Sequence, residues 1–445
     1  MTAPVPAPAA PLTHRRVLAI ALPIVLSNAT IPILGAVDTG VVGQMGDPVP
    51  IGAVGIGAVL LASVYWIFGF LRMGTSGLVA QSMGAGDHAG AGAHLARALG
   101  IAAAAGLAMI LLQVPLIWLA FRLAPASDAV EDLARDYLTI RIWGAPAAIA
   151  VYALTGWLIA AERAGAVLAL QVLMTGTNIA LDLAFVIRLG WGVQGVALAT
   201  LIAEYAGLAL GLYLARHVLS AALHRQGARL WTRPEMTRLA RVNGDIMLRS
   251  VLLQASFTTF LFMGAAQGDV TLAANQVLVQ FLEITAYALD GFAFAAEALV
   301  GQAVGARRPD RLRRAAVLTS QWGVAGAVLL TLVFAVAGGA IIDLLTTAPE
   351  IRAAARQVLP WLVVAPLIGI ASWMLDGIFI GATMTRDMRV AMIWSVLAYL
   401  PALLVLPLLW GNHGLWAALM VLNLTRGLTM WARYSKAEAL AAAPA

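Results

Sequence analysis

The sequence predicts an all-α polytopic membrane protein: twelve transmembrane helices in two six-helix lobes related by a pseudo-two-fold axis along the membrane normal. Three observations carry this reading: composition, a series of long apolar runs, and an internal repeat. Of the 445 residues 61% are hydrophobic and only 11% charged, and the mean hydropathy is +0.88. A water-soluble globule of this length does not have that composition. The chain has no cysteine, which excludes disulfides, thiolate metal sites and cysteine nucleophiles. Its one lysine, Lys436, lies outside any glycine-rich loop. A phosphate-binding loop needs a lysine, so nucleotide-driven transport by this chain is excluded. The six histidines have no metal-ligand spacing and no hydrolase motif is present, so neither an enzyme nor a resident cofactor is expected.

Apolar runs bounded by Gly, Pro and charged clusters place the spans at 15–46, 52–83, 91–121, 128–160, 165–187, 192–216, 238–266, 270–303, 311–345, 351–381, 388–409 and 414–434. Each is long enough for the ~20 residues that a bilayer core requires. With the N-terminus cytoplasmic, the inner connections carry Arg15, Arg16, Arg97, Arg163, the arginines from Arg216 to Arg241 and from Arg307 to Arg314, Arg386, Arg389, Arg433 and Lys436. The outer ones carry only Arg122, Arg188, Arg352 and Arg356. Cytoplasmic loops are the ones enriched in Lys and Arg, so both termini are expected in the cytoplasm. The basic runs are read as topology signals, and no nucleic-acid partner is expected. Residues 1–14 read as a disordered cytoplasmic tail, with no signal-peptide pattern after it. An N-terminal lobe at 15–216, an arginine-rich cytoplasmic linker at 217–237, a C-terminal lobe at 238–434 and a tail at 435–445 complete the division.

The repeat is direct. Val79-Ala-Gln-Ser-Met-Gly-Ala-Gly after the second span resembles Val300-Gly-Gln-Ala-Val-Gly-Ala-Arg after the eighth, at an offset of 221 residues. Ala145-Pro146 with Gly156 and Ala365-Pro366 with Gly377 repeat at nearly the same offset, as do Trp191-Gly-Val-Gln-Gly195 and Trp410-Gly-Asn-His-Gly414. Six spans per copy is an even number, so both copies enter from the same side. Carriers that rock one half against the other have this plan.

Within the spans the polar groups are few. Asp38 lies about eight residues from the outer end of the first span, about 12 Å deep at 1.5 Å per residue. A carboxylate there costs at least ~2.5–3.5 kcal/mol on insertion scales, and marks an ion or substrate site more often than a packing accident. Asn178 and Asp182, spaced i, i+4 on the fifth span, and Thr200 on the sixth reach a similar depth. Two carboxylates with amide and hydroxyl support can share a proton or hold a hard cation such as Na⁺. The alternative is that Arg141 of the fourth span neutralises one of them structurally. The second copy cannot rebuild the pair, because Asp38 falls near Thr259 and Asp182 near Pro401. It carries instead Glu283, Asp290 and Glu297 at seven-residue spacing, and Asp376; a Glu297–Arg249 salt bridge is expected, with a role in substrate or proton passage as the alternative. Pro23 and Pro32 each remove a backbone hydrogen bond from the first span and make bending less costly there.

Pro23 with Val37-Asp-Thr, Arg72-Met-Gly-Thr-Ser-Gly, Asn178-Ile-Ala-Leu-Asp182, the Gly195–Tyr205 segment, Thr285-Ala-Tyr-Ala-Leu-Asp-Gly-Phe-Ala and Asp376-Gly-Ile-Phe-Ile-Gly-Ala-Thr together resemble the multidrug and toxic compound extrusion family. The closest likeness is to its DNA-damage-inducible F branch, over essentially all twelve spans. The resemblance implies two lobes facing each other in a V and export of amphipathic, often cationic compounds against inward flow of protons, or of sodium ions. It also implies that the coupling residue matches Asp38, supported by Asn178, Asp182 and Thr200, and that the proline matching Pro23 is the bending point. A monomer in a bacterial inner membrane, handling drug-like small molecules among membrane lipids, is the expectation. A flippase for a lipid-linked or lipid-like substrate is the alternative, since related folds move such cargo.

Overall fold

The computed structural model describes residues 11–44, 47–123 and 127–442, and the regular structure among them is helical. We label the spans α1 (His14–Gly43), α2 (Pro48–Ile67 and, after a break at Phe68-Gly69, Phe70–Gly84), α3 (His88–Leu111, continued by Gln113–Leu123), α4 (Asp128–Arg141, a 3₁₀ turn Ile142–Gly144, then Ala145–Ala160), α5 (Ala164–Asp182, widened into a π-helical turn over Leu183–Arg188) and α6 (Gly192–Gln226). The second copy is α7 (Arg233–Ala265), α8 (Asp269–Gly305), α9 (Pro309–Leu345), α10 (Pro349–Gly381), α11 (Thr385–Trp410) and α12 (Asn412–Trp431). Short polar residues start several of them. Thr13 accepts from the Arg16 amide, Asp47 from Val49 and Asp87 from Gly90, each satisfying a backbone donor that a first helical turn leaves open.

Eleven of these helices are long and apolar enough to cross a membrane. The twelfth, α12, has 20 residues and carries Asn423 and Arg426 along its length. Both are buried, so protein rather than lipid surrounds them. The N-terminal tail differs from expectation where it is described. Residues 1–10 and 443–445 lie outside the described residues, but Leu12 is buried against the core. Much of 217–237 is helix: α6 continues to Gln226, a 3₁₀ turn covers Gly227–Trp231, and α7 begins at Arg233. The C-terminal tail forms a helix, α13 (Tyr434–Ala442), whose Ala437 and Ala441 are buried against the core that includes α9.

The two copies pack alike. In the first, α2 lies on α3 and α4, α3 on α4, α5 on α1 and α6, and α4 on α6. In the second, α8 lies on α9 and α10, α9 on α10, α11 on α7 and α12, and α10 on α12. Small residues at repeated positions permit the closest approaches. A side chain on Gly156 would collide with the Arg72 carbonyl, and one on Gly377 with the Ala293 carbonyl, the same pair shifted by 221 residues.

The lobes meet through α2 against α8, flanked by α1 on α8 and α2 on α7. Gln81 Nε2 donates to the Gly381 carbonyl at 2.9 Å and to Thr383 Oγ1 at 3.0 Å. Its counterpart Gln302 donates to the Ala160 carbonyl at 3.0 Å. Gly84 and Gly305, at the ends of α2 and α8, abut the Gln302 and Gln81 carbonyls so closely that neither position has room for a side chain. The Val79 and Val300 motifs are therefore the two halves of one symmetric junction. Arg72 Nη1 stands 3.2 Å from Glu297 Oε2, with its guanidinium 3.9 Å from the Phe294 ring centre. The glutamine and glycine contacts gather at the α2–α3 and α8–α9 ends of the lobes, the side to which the arginine bias assigns the cytoplasm, whereas Arg72 and Glu297 meet further along the two helices.

This junction makes a testable claim. In the cysteine-free chain, Gln81→Ala combined with Gln302→Ala should increase labelling of a single cysteine at Thr383 by a membrane-impermeant thiol reagent, several-fold over the same cysteine with both glutamines present. Equal labelling of the two proteins would show that the glutamines do not hold the lobes together.

Candidate functional site

Three helices build the polar centre of the N-terminal lobe, and each contributes through its register. α5 presents Asn178 and Asp182 one turn apart on its buried face, with 1% and 0% of their surfaces exposed. Asp182 is the last residue before the π-helical turn Leu183–Arg188, a local widening that frequently accompanies functional sites. α6 lies against α5 and supplies Thr200, while α1 supplies the half-buried Asp38. The four sequence-predicted residues are thus brought together.

Asn178 is the hub. With its amide turned so that both ends meet a complementary group, its nitrogen lies 3.0 Å from Asp182 Oδ2 and 3.0 Å from Asp38 Oδ1. Its oxygen accepts from Thr200 Oγ1 at 3.0 Å, and Thr200 Oγ1 is also 3.0 Å from the Val196 carbonyl within its own helix. The two carboxyl groups are within hydrogen-bonding reach of each other. Asp182 Oδ1 is buried and has no hydrogen-bond partner among the described residues. A carboxyl pair that close is compatible with the membrane interior when one proton is held between its members.

Arg141 does not neutralise this pair by direct contact. Its guanidinium binds Glu204 of α6, Nη2 to Oε1 at 3.0 Å and Nη1 to Oε2 at 2.9 Å, with both side chains buried. Glu204 is one turn beyond Thr200, and this i, i+4 placement was the available signal for a buried acid opposite Arg141. Arg141 therefore acts on Asp38 only at longer range, through its field.

The expected Glu297–Arg249 salt bridge is not formed. Glu297 is fully buried and pairs with Arg72 from the other lobe. Arg249 donates to Asp376 of α10, and Arg426 of α12 lies 3.3 Å from the same carboxylate. Asp290 lies within the electrostatic reach of Arg72 and Arg249. Depth along a helix is compatible with several partners, and the lobe interface decided between them. Arg426 is not among the sequence-predicted residues; the signal that could have found it is a charge inside an otherwise apolar span. Thr259, at the repeat position of Asp38, donates to the Ala255 carbonyl of its own helix, so the second lobe has no counterpart of the site.

Pro23 and Pro32 both lie inside α1, which continues through them. Each lacks the N–H that would bond the carbonyl four residues earlier, at Ala19 and Asn28. Between them the Asn28 side chain donates to the Tyr287 carbonyl of α8 at 3.2 Å, so the helix bearing Asp38 is tied to the opposite lobe where its own ladder is weakened. Among the described residues no group of three or more His, Cys, Asp or Glu is arranged to hold a metal ion.

Comparison with known proteins fits this architecture. The MatE family profile matches residues 23–184 and 246–405, one match in each lobe. The chain is 42% identical to DNA damage-inducible protein F of Escherichia coli K12, over 93% of this chain and 91% of that protein. It is 28% identical to a probable multidrug resistance protein NorM of Rhizobium meliloti, covering 98% and 96%. A crystal structure of MATE in the bent conformation superposes with a TM-score of 0.86 at 20% identity, over 96% of both chains. The chain belongs to the MatE family, the multidrug and toxic compound extrusion transporters, and within it to the DNA-damage-inducible F branch.

Proposed function

We propose that the protein is a secondary active antiporter that exports amphipathic, often cationic compounds across a bacterial inner membrane, with both termini cytoplasmic, in exchange for protons. The observation that carries this reading is the Asp38–Asn178–Asp182 arrangement: two carboxyl groups joined through a neutral amide, deep in one lobe, with Arg141 committed to Glu204. The buried acids Glu204, Glu297 and Asp376 each have a guanidinium partner. This pair does not, so its charge is free to be set by an exchangeable ion.

A proton is the ion proposed, because the Asn178 amide can act as a donor to a carboxyl pair that shares one; a sodium ion would instead take the amide oxygen as a ligand, and transport under a sodium gradient separates the two. The orphaned Asp182 Oδ1 is a place for the proton to reside. In the proposed cycle the outward-open protein takes up a proton at Asp38 and Asp182, which removes the demand for the bridging amide. α1, tied to α8 near Asn28 and weakened at Pro23 and Pro32, then shifts against α5. The N-terminal lobe contracts, substrate leaves outward, and the lobes rock about the α2–α8 junction to reopen inward. There the proton is released and substrate rebinds. Arg72, Arg141, Arg249 and Arg426 each lie against a carboxylate, which disfavours a flippase that would use these four for an anionic lipid headgroup.

Proteoliposomes provide the test. Under an imposed pH gradient the wild-type protein should export a fluorescent lipophilic cation, and Asp38→Asn should reduce that export to background at normal expression. A sodium gradient alone should drive little transport. Wild-type export by Asp38→Asn would overturn the reading. Pro23→Ala should slow transport while leaving expression and melting temperature unchanged; a wild-type rate would remove the hinge.

Glu204→Gln should behave differently, lowering folded protein and melting temperature, because an unpaired buried charge costs about 3–5 kcal/mol. Arg141→Leu with Glu204→Leu should recover most of that stability. If Glu204→Gln instead folded normally and lost only transport, the pair would belong to the coupling machinery.

A further inference from the structure

The cytoplasm-assigned end of the N-terminal lobe holds a cavity of about 550 Å³, lined from the α2–α3 turn by Ser82 and Asp87, from α3 by His94 and Arg97, and from the start of α7 by Thr232 and Glu235, with Arg225 and Arg238 alongside. That volume lies within the ~300–1,000 Å³ of small-ligand pockets. The turn joining the two lobes forms one wall. Arg97 is the floor, with only 3% of its surface exposed, and its Nε donates to the Leu230 carbonyl at 2.6 Å. Leu230 is itself buried, and Trp231 presses onto α3 at Gly100 with no room for a side chain there.

Charge in the cavity is unbalanced. Glu235 is engaged, with Oε2 3.3 Å from Arg97 Nη1. Asp87 is engaged by the helix it caps, through the Gly90 amide at 2.8 Å. Arg225, near the end of α6, and Arg238, in α7, are exposed and make no hydrogen bond or ion pair among the described residues. Three arginines thus face two carboxylates, leaving the lining one net positive charge, and the two forked guanidiniums at the rim have open donors, with the Ser82 and Thr232 hydroxyls on the wall. Guanidiniums pair with phosphate oxygens bidentately, and a neutral or cationic ligand would leave both of them uncompensated.

We infer that this cavity binds a phosphate group of net negative charge between Arg225, Arg238 and Arg97, and so fastens the interlobe turn to the N-terminal lobe. The group has two possible sources: the headgroup of an anionic phospholipid in the adjoining leaflet, or a phosphate compound from solution. The site lies at the opposite end of the lobe from Asp38 and Asp182, and it stands whether or not the proposed proton exchange is correct.

Titration calorimetry on the purified full-length protein tests it, with dioctanoyl phosphatidylglycerol, dioctanoyl phosphatidylcholine and inorganic phosphate as separate probes below their critical micelle concentrations. Saturable binding of phosphatidylglycerol, and not of phosphatidylcholine, supports the site and assigns it to lipid; comparable binding of inorganic phosphate supports the site and assigns it to a soluble source. In either case Arg225→Ala with Arg238→Ala should weaken binding at least about tenfold, the scale of one lost charge-assisted contact. Both positions are exposed, so the unliganded melting temperature should be unchanged. Equal binding of phosphatidylcholine, no binding of either anion by the wild-type protein, or undiminished binding by a folded double variant would each overturn the inference.

Discussion

A charge inside an apolar helix bundle must find a partner there, and the arrangement of this protein follows from how each buried charge finds one. Arg141 meets Glu204, Arg72 meets Glu297, and Asp376 takes both Arg249 and Arg426. In each of these contacts opposite charges compensate directly, and removing one partner strands the other. Asp38 and Asp182 are joined instead by Asn178, which supplies donors and no charge. Burial that an opposite charge compensates elsewhere is met here by a neutral amide, which sets this pair apart from the ion pairs.

The frame that carries these charges is nearly symmetric, and the charges are not. The Gln81 and Gln302 bonds and the Gly156 and Gly377 contacts repeat across the two lobes to the residue. Such contacts use backbone carbonyls and the absence of side chains, so they constrain the same few positions in both copies. Between them the polar side chains are free to differ. One lobe has the carboxylate pair; the other has a neutral cluster of arginines and acids, one of whose members, Glu297, reaches across to the first lobe. A nearly symmetric junction thus joins two lobes that carry different charges.

Partial legibility is instructive at particular residues. Asp38, Asn178, Asp182 and Thr200 were found from depth alone, because span ends are marked by charge and a helix advances at a fixed rise. Glu204 lay in view one turn from Thr200 but was not connected with Arg141. Glu297 was assigned to the wrong arginine, since Arg72 and Arg249 are at comparable depths and only the lobe interface separates them. The tail after residue 434 and the arginine-rich segment before α7 were placed by charge alone, and polar composition gives no sign of the helices and turns that they form.

The sequence by itself determined the helical class, the spans, the repeat and the four polar residues that meet around Asn178. Those features depend on hydrophobicity, on periodicity and on spacing along one chain, all of which are local. Tertiary structure alone decided which arginine each acid meets, how the Asn178 amide bridges the two carboxyl groups, and that the two glycine-flanked glutamine motifs interlock. These depend on rotation of each helix about its axis and on contacts between residues more than two hundred positions apart. No one-dimensional pattern specifies such rotations, because several partners at one depth satisfy the same sequence until packing removes all but one.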